Sequence, residues 1–151
     1  PYTTLFRSPE KALLRAKKAH DILNGKTSEY REPHSGVTEL TSIDGLPTGT
    51  ISLPLSKNPF DSPRQVVDHR FGKEAFTYFE FTSPRRIELF PASGRTHQLR
   101  IHCAHPEGLG RPIKGDILYG TASDRLYLHA ESIGFCHPQT GKWMHFEVKE
   151  F

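Results

Sequence analysis

Cysteine is scarce in this sequence. Cys103 and Cys136 are the two it has, too few for a disulfide framework and without paired metal-ligand spacing, so a reducing compartment is the simpler reading. Long apolar runs are missing too. Nothing approaches the roughly 18 consecutive apolar residues that cross a bilayer, and no basic segment followed by an apolar stretch and a small-residue cleavage site opens the chain. The expectation is a soluble, cytoplasmic protein with no membrane partner. A strong charge excess is also absent, with 20 Lys+Arg against 17 Asp+Glu. The local balance differs: Arg95, Arg100, Arg111 and Lys114 fall in a stretch whose only acidic residue is Glu107, a bias that suits a polyanionic partner better than the net charge does.

With 151 residues, 35% of them hydrophobic, the chain is long enough for one globular domain and too short to argue for two. Residues 1–8, Pro1-Tyr2-Thr3-Thr4-Leu5-Phe6-Arg7-Ser8, look like the translation of a short-read sequencing adapter and are expected to stay irregular. Residues 9–24 space Ala12, Leu13, Leu14, Ala16, Ala19, Ile22 and Leu23 as in an amphipathic helix ended by Gly25. Residues 26–48 are polar and without a period, and read as loop. From residue 49 the character changes. The runs 50–55, 65–67, 75–81 and 86–90 are rich in β-branched and aromatic residues and are separated by turn formers.

Ser93-Gly94 should turn the chain, and Thr96 should cap a short helix from about His97 to Ala104, bounded by Pro106. Strands are expected from Leu126 to Phe135 and from Trp143 to Val148, joined by the turn 137–141. Trp143, Phe146 and Phe135 read as core rather than as a base-stacking platform, and Leu128-His129 as a core strand with one satisfied imidazole. The predicted class is α+β, a mixed or antiparallel sheet with short helices.

The densest polar cluster is Gly94-Arg95-Thr96-His97-Gln98-Leu99-Arg100-Ile101-His102. Backbone N–H groups at a helix start, with Arg95 and Arg100, could hold phosphates or pair bidentately with a carboxylate. On residue types alone, a solvated basic turn is an equal alternative. His97, His102 and His105 form the closest histidine grouping, but positions five apart on a helix do not share a face, and no Cys or Asp completes a ligand set. The expectation is no bound metal.

The same residues carry a resemblance. Phe90 through His102 is similar to the Gly-Arg-Thr/Ser-His-Gln-Leu/Ile-Arg motif of the RNA pseudouridine synthases of the large-ribosomal-subunit type. Ile51-Ser52-Leu53-Pro54-Leu55, Arg64-Gln65, Gly72 to Thr77, Pro112 to Gly120, Leu128-His129-Ala130 and His137 to Gly141 resemble family landmarks in family order. On this reading residues 49–151 are the C-terminal part of a catalytic domain, and 9–48 match it poorly.

The resemblance implies an isomerase that flips a uridine out of structured ribosomal or transfer RNA, breaks its C–N glycosidic bond, and rejoins the turned base through carbon. It implies no cofactor and no metal, and a monomer when the protein is complete. It places on Arg100 the role of pairing with a nucleophilic aspartate, on Arg95, Thr96, His97, Gln98 and Lys114 a place at the RNA-binding surface, where Arg95, His97 and Gln98 line the pocket mouth or hold the loop that meets RNA, and on Leu128 an apolar wall for the uracil. Departures matter as much. The family's aspartate stands in a His-Arg-Leu-Asp string that this chain lacks, since Asp68-His69-Arg70 has another context and Asp116 resembles a structural Gly-Asp turn. The family's Lys/Arg-Tyr-x-Ala strand is missing before Asp44-Gly45, and nothing around Tyr30 replaces it. The chain alone is therefore expected to be inactive. The other classes that the residues allow are a noncatalytic RNA-binding module and a metal-dependent hydrolase built on the histidines.

Overall fold

A computed structural model describes residues 2–7, 36–41 and 45–148. The helix expected over 9–24 and most of the 26–48 stretch lie outside them. Nine strands are described, β1 (Tyr2–Arg7), β2 (Val37–Thr41), β3 (Pro47–Ser52), β4 (Leu55–Lys57), β5 (Gln65–Val67), β6 (Phe76–Ser83), β7 (Arg86–Pro91), β8 (Leu128–Cys136) and β9 (Trp143–Glu147), with one helix, α1 (Gln98–Ala104). Seven strands form a mixed sheet in the order β2-β3-β6-β7-β1-β8-β9, and β4 and β5 make a separate antiparallel pair. The expectation of a mixed sheet holds at this level, with one short helix among the described residues.

The centre of the sheet is made where the sequence is richest in aromatic and β-branched residues. Phe79, Phe81, Ile87 and Leu89 join Ile51 and Leu53 in one buried cluster. On the other side of β6 and β7, Tyr78 packs on Phe90 with ring centroids 5.8 Å apart, and its hydroxyl lies 2.6 Å from the Thr48 hydroxyl. A central strand covered on both faces needs such a continuous run. The short helix adds Leu99, Ile101 and Cys103 to the same cluster, and that burial pushes the Cys103 thiol up to about 12.

Four expectations are corrected. The run 50–55 is not one strand: β3 ends at Ser52 and β4 starts at Leu55 in the second sheet, because Pro54 has no N–H for a ladder. Residues 2–7 are not irregular, since β1 lies parallel between β7 and β8. Whatever its origin, Tyr2-Thr3-Thr4-Leu5-Phe6 has strand composition, and the facing edges of β7 and β8 offer unpaired backbone groups on both sides. Residues 37–41 are not loop either; they pair along β3 from Val37↔Ile51 to Thr41↔Pro47. Finally, Phe135, Trp143 and Phe146 are 40%, 42% and 48% exposed, with the Phe135 and Phe146 rings stacked at 5.9 Å. They lie on the β8–β9 hairpin at the end of the sheet, where no described layer covers them.

Candidate functional site

The polar cluster folds around α1, and its first surprise is the helix start. His97, at φ 53° and ψ 17°, is the N-cap and makes no side-chain cap; Thr96 is exposed and does not serve, contrary to expectation. Gln98 organises the turn instead. Its Oε1 accepts from the Ser93 hydroxyl at 2.8 Å and the Arg95 amide at 3.0 Å, while its Nε2 donates to the Phe76 carbonyl at 2.9 Å and Thr77 Oγ1 at 3.0 Å. All four hydrogen-bonding positions of the amide are used inside the chain, and the residue is buried. It therefore ties the turn to β6 and leaves no donor for RNA, so of its two expected roles, lining the pocket mouth or holding the loop, its side chain is placed for the second.

Arg100 turns from α1 toward the 112–120 segment. Its Nε donates to Asp116 Oδ2 at 2.8 Å and its Nη2 to Oδ1 at 2.6 Å, a two-point pairing. The Asp116 side chain is fully buried and that of Arg100 is 16% exposed. Oδ1 also accepts from the Leu118 and Tyr119 amides at 3.0 and 3.1 Å. Burial alone would push the Asp116 carboxyl up, but the Arg100 hydrogen bond and the two amides outweigh it and hold the carboxyl below its ordinary range. The same hydrogen bond raises Arg100, so both groups stay charged.

Tyr119 completes the arrangement. The Arg100 guanidinium carbon lies 5.3 Å from its ring centroid, close enough for a cation–π contact. The Tyr119 hydroxyl accepts from the Gln65 amide at 2.8 Å and lies 2.9 Å from His97 Nδ1. Burial, and then the charge of Arg100, holds the His97 imidazole below the usual histidine range, against an upward pull from Asp116. His97 and Arg100 are thus brought together around Tyr119, a residue that sequence reasoning did not single out. Asp116, three residues before it, reads from the sequence only as a turn.

The other expected residues stand apart. Arg95 is exposed, its Nε donating to the Glu74 carbonyl at 3.1 Å. Lys114 is exposed, its Nζ 4.2 Å from the Tyr127 ring centroid. Leu128 is half-buried at the start of β8, against the apolar cluster. A cleft of about 430 Å³ opens beside Tyr119, between β5 and the end of α1, lined also by Gln65, Val66, Val67, Ile101, Ala104, His105 and Pro106. None of the residues to which the resemblance gives a role (Arg95, Thr96, His97, Gln98, Arg100, Lys114 and Leu128) lines it. The three grouped histidines separate: His97 meets Tyr119, His102 Nδ1 lies 2.8 Å from Thr77 Oγ1, and His105 lies 3.9 Å from Glu107. Among the described residues, no group of three or more His, Cys, Asp or Glu side chains is placed to hold a metal ion.

The loop that carries Asp116 depends on Gly115, at φ +78°, where an added Cβ would run into the Arg125 carbonyl. Gly115→Ala combines a disfavoured φ with a backbone clash and is expected to cost about 3 kcal/mol. A urea midpoint unchanged from that of the unsubstituted chain would refute it.

Comparison with known proteins bears on the same segment. The family described as RNA pseudouridylate synthase matches residues 16–105, which takes in the whole polar cluster and reaches back into the 9–48 segment. The chain is 40% identical over 111 residues to a dual-specificity RNA pseudouridine synthase RluA of Haemophilus influenzae, covering 67% of this chain and 49% of that protein. It is 33% identical over 158 residues to the ribosomal large subunit pseudouridine synthase C of Buchnera aphidicola, covering 92% and 49%. The RluA of Yersinia pestis is 37% identical over 134 residues, covering 80% and 64%. The chain thus spans about half the length of the first two relatives.

Proposed function

The chain belongs to the RNA pseudouridylate synthase family, and on that premise we propose that it contributes the arginine-bearing half of an enzyme that isomerises uridine to pseudouridine in structured ribosomal or transfer RNA. The observation that carries the reading is the family match across residues 16–105, which contains Arg100 and the turn that Gln98 anchors. In this role Arg100 faces the reacting centre: a permanently charged guanidinium beside a carboxylate favours the ionised, nucleophilic form. Arg95, Thr96 and Lys114, all exposed, contact the RNA backbone, where cationic and hydroxyl groups position the nucleic acid without reading its sequence. His97 lies at the edge of this surface, and Leu128 gives the flipped uracil its apolar wall. The reaction needs no cofactor or metal, and the complete protein acts as a cytoplasmic monomer.

Asp21, Asp44, Asp61, Asp68, Asp116 and Asp124 all lie outside a His-Arg-Leu-Asp context. Asp116 is committed to Arg100 and two backbone amides. Because a covalent mechanism without its nucleophile loses the step that divides one hard reaction into two easier ones, the 151-residue chain alone is expected to form no pseudouridine. Tritium release from 5-tritiated uridine in ribosomal and transfer RNA tests this, on the chain and on a version extended to the relatives' length. Release by the extended version alone supports the reading. Release by the chain itself would show that one of these aspartates is the nucleophile. RNA binding with no release from either version would favour a noncatalytic RNA-binding module.

A further inference from the structure

We infer that Asp116 is a positioning residue for the isomerisation, holding Arg100 by one edge of its guanidinium so that the other edge is presented to the reacting centre. The inference rests on the role proposed above for Arg100. A guanidinium carries two edges that each fit a carboxylate: a side edge made of Nε–H and one Nη2 hydrogen, and an end edge made of Nη1 and the second Nη2 hydrogen. Asp116 takes the side edge, through Nε to Oδ2 and Nη2 to Oδ1. The end edge is therefore left to a second oxyanion, the carboxylate that attacks the nucleotide, and its direction is set before RNA arrives.

Three features separate this from an ordinary surface ion pair. The carboxylate is fully buried and cannot swing with solvent. Its Oδ1 is itself fixed by the Leu118 and Tyr119 amides, and the chain there is locked by the positive φ of Gly115. The guanidinium carbon lies 5.3 Å from the centroid of the Tyr119 ring, whose hydroxyl is tied to the Gln65 amide. Arg100 is thus held at an edge by Asp116 and neighboured by Tyr119, groups that are anchored in turn, as a positioned catalytic charge requires.

Asp116→Asn tests the idea selectively. The asparagine oxygen can keep the two amide contacts at Oδ1, while its NH₂ group replaces Oδ2 and sets a donor against the Arg100 Nε–H. In the 151-residue chain, hydrogen exchange of the Arg100 Nε–H by NMR should be slow, and at least tenfold faster in Asp116→Asn with circular dichroism unchanged. Exchange in the unsubstituted chain as fast as that of an exposed arginine overturns the proposal. In the version extended to the relatives' length, Asp116→Asn should lower kcat roughly 100-fold with KM changed little. Combined with Arg100→Lys it should lower kcat hardly further than either change alone. Losses that multiply, or a kcat untouched by Asp116→Asn, would show that Asp116 does not act through Arg100. If the unsubstituted extended protein forms no pseudouridine, the enzyme reading itself fails, while the Nε–H exchange still decides whether Asp116 holds the guanidinium.

Discussion

Arg100→Lys in a version extended to the relatives' length lowers turnover roughly 100-fold while RNA affinity changes by less than about threefold. Lysine keeps the charge but is a point donor. It cannot make the two contacts that Arg100 Nε and Nη2 make with Asp116 and still offer a second edge. The substitution also leaves a buried carboxylate with a poorer partner, so some loss of stability accompanies it; thermal melting under assay conditions separates unfolded protein from slow protein. Arg95→Ala should behave in the opposite way. Arg95 is exposed and is held by one hydrogen bond to a backbone carbonyl, the setting of a phosphate contact. Its loss should weaken RNA binding at low salt and reduce the slope of log affinity against log salt by about one, with turnover of saturated enzyme nearly intact. Equal loss of affinity from both substitutions would refute separate roles.

Acid should destabilise this fold from about pH 6.5 downward. His102 is fully buried, and that burial pushes its imidazole down to about 4, against a partial upward pull from the Leu53 backbone. The unfolded chain takes up a proton on this ring near pH 6.5 and the folded chain near pH 4. Stability therefore falls as pH drops through that interval and levels off below it, by about 3 kcal/mol in all. His97, also held low, adds to the slope as pH falls below 6.5. The carboxyls of Asp68, Glu107, Asp116 and Asp124 are held below their ordinary values of 3.8 to 4.5, so their contribution is present above those values and is lost as pH falls below them. Urea midpoints between pH 7.5 and 4.5 measure most of this fall. His102→Gln, which can still reach Thr77, should flatten most of the slope even though it lowers stability at neutral pH. An unchanged slope in that variant would assign the acid sensitivity to other groups.

Local chemistry made part of this protein readable from its residues. Strands β5, β6, β7 and β9 fall where β-branched and aromatic residues run between turn formers, because side-chain shape and backbone preference act within a few residues. The helix Gln98–Ala104 lies within one residue of its expected start, since the apolar positions Leu99, Ile101 and Cys103 and the barrier at Pro106 are local signals. The polar cluster identified the segment that matters for the same reason. Its individual roles were not local. Gln98 is buried because β6 presents a carbonyl and a hydroxyl to its amide across 21 and 22 residues of chain. Arg100 finds Asp116 across 16 residues, and His97 finds Tyr119 across 22. The pairing of β2 with β3, the insertion of β1 between β7 and β8, and the exposure of Trp143 and Phe146 likewise depend on which edges and faces meet. Sequence determined which residue types were available to the site and where the backbone could extend or coil. Only the tertiary structure decided which donor met which acceptor, because a hydrogen bond is satisfied by proximity in space and carries no mark of its partner along the chain.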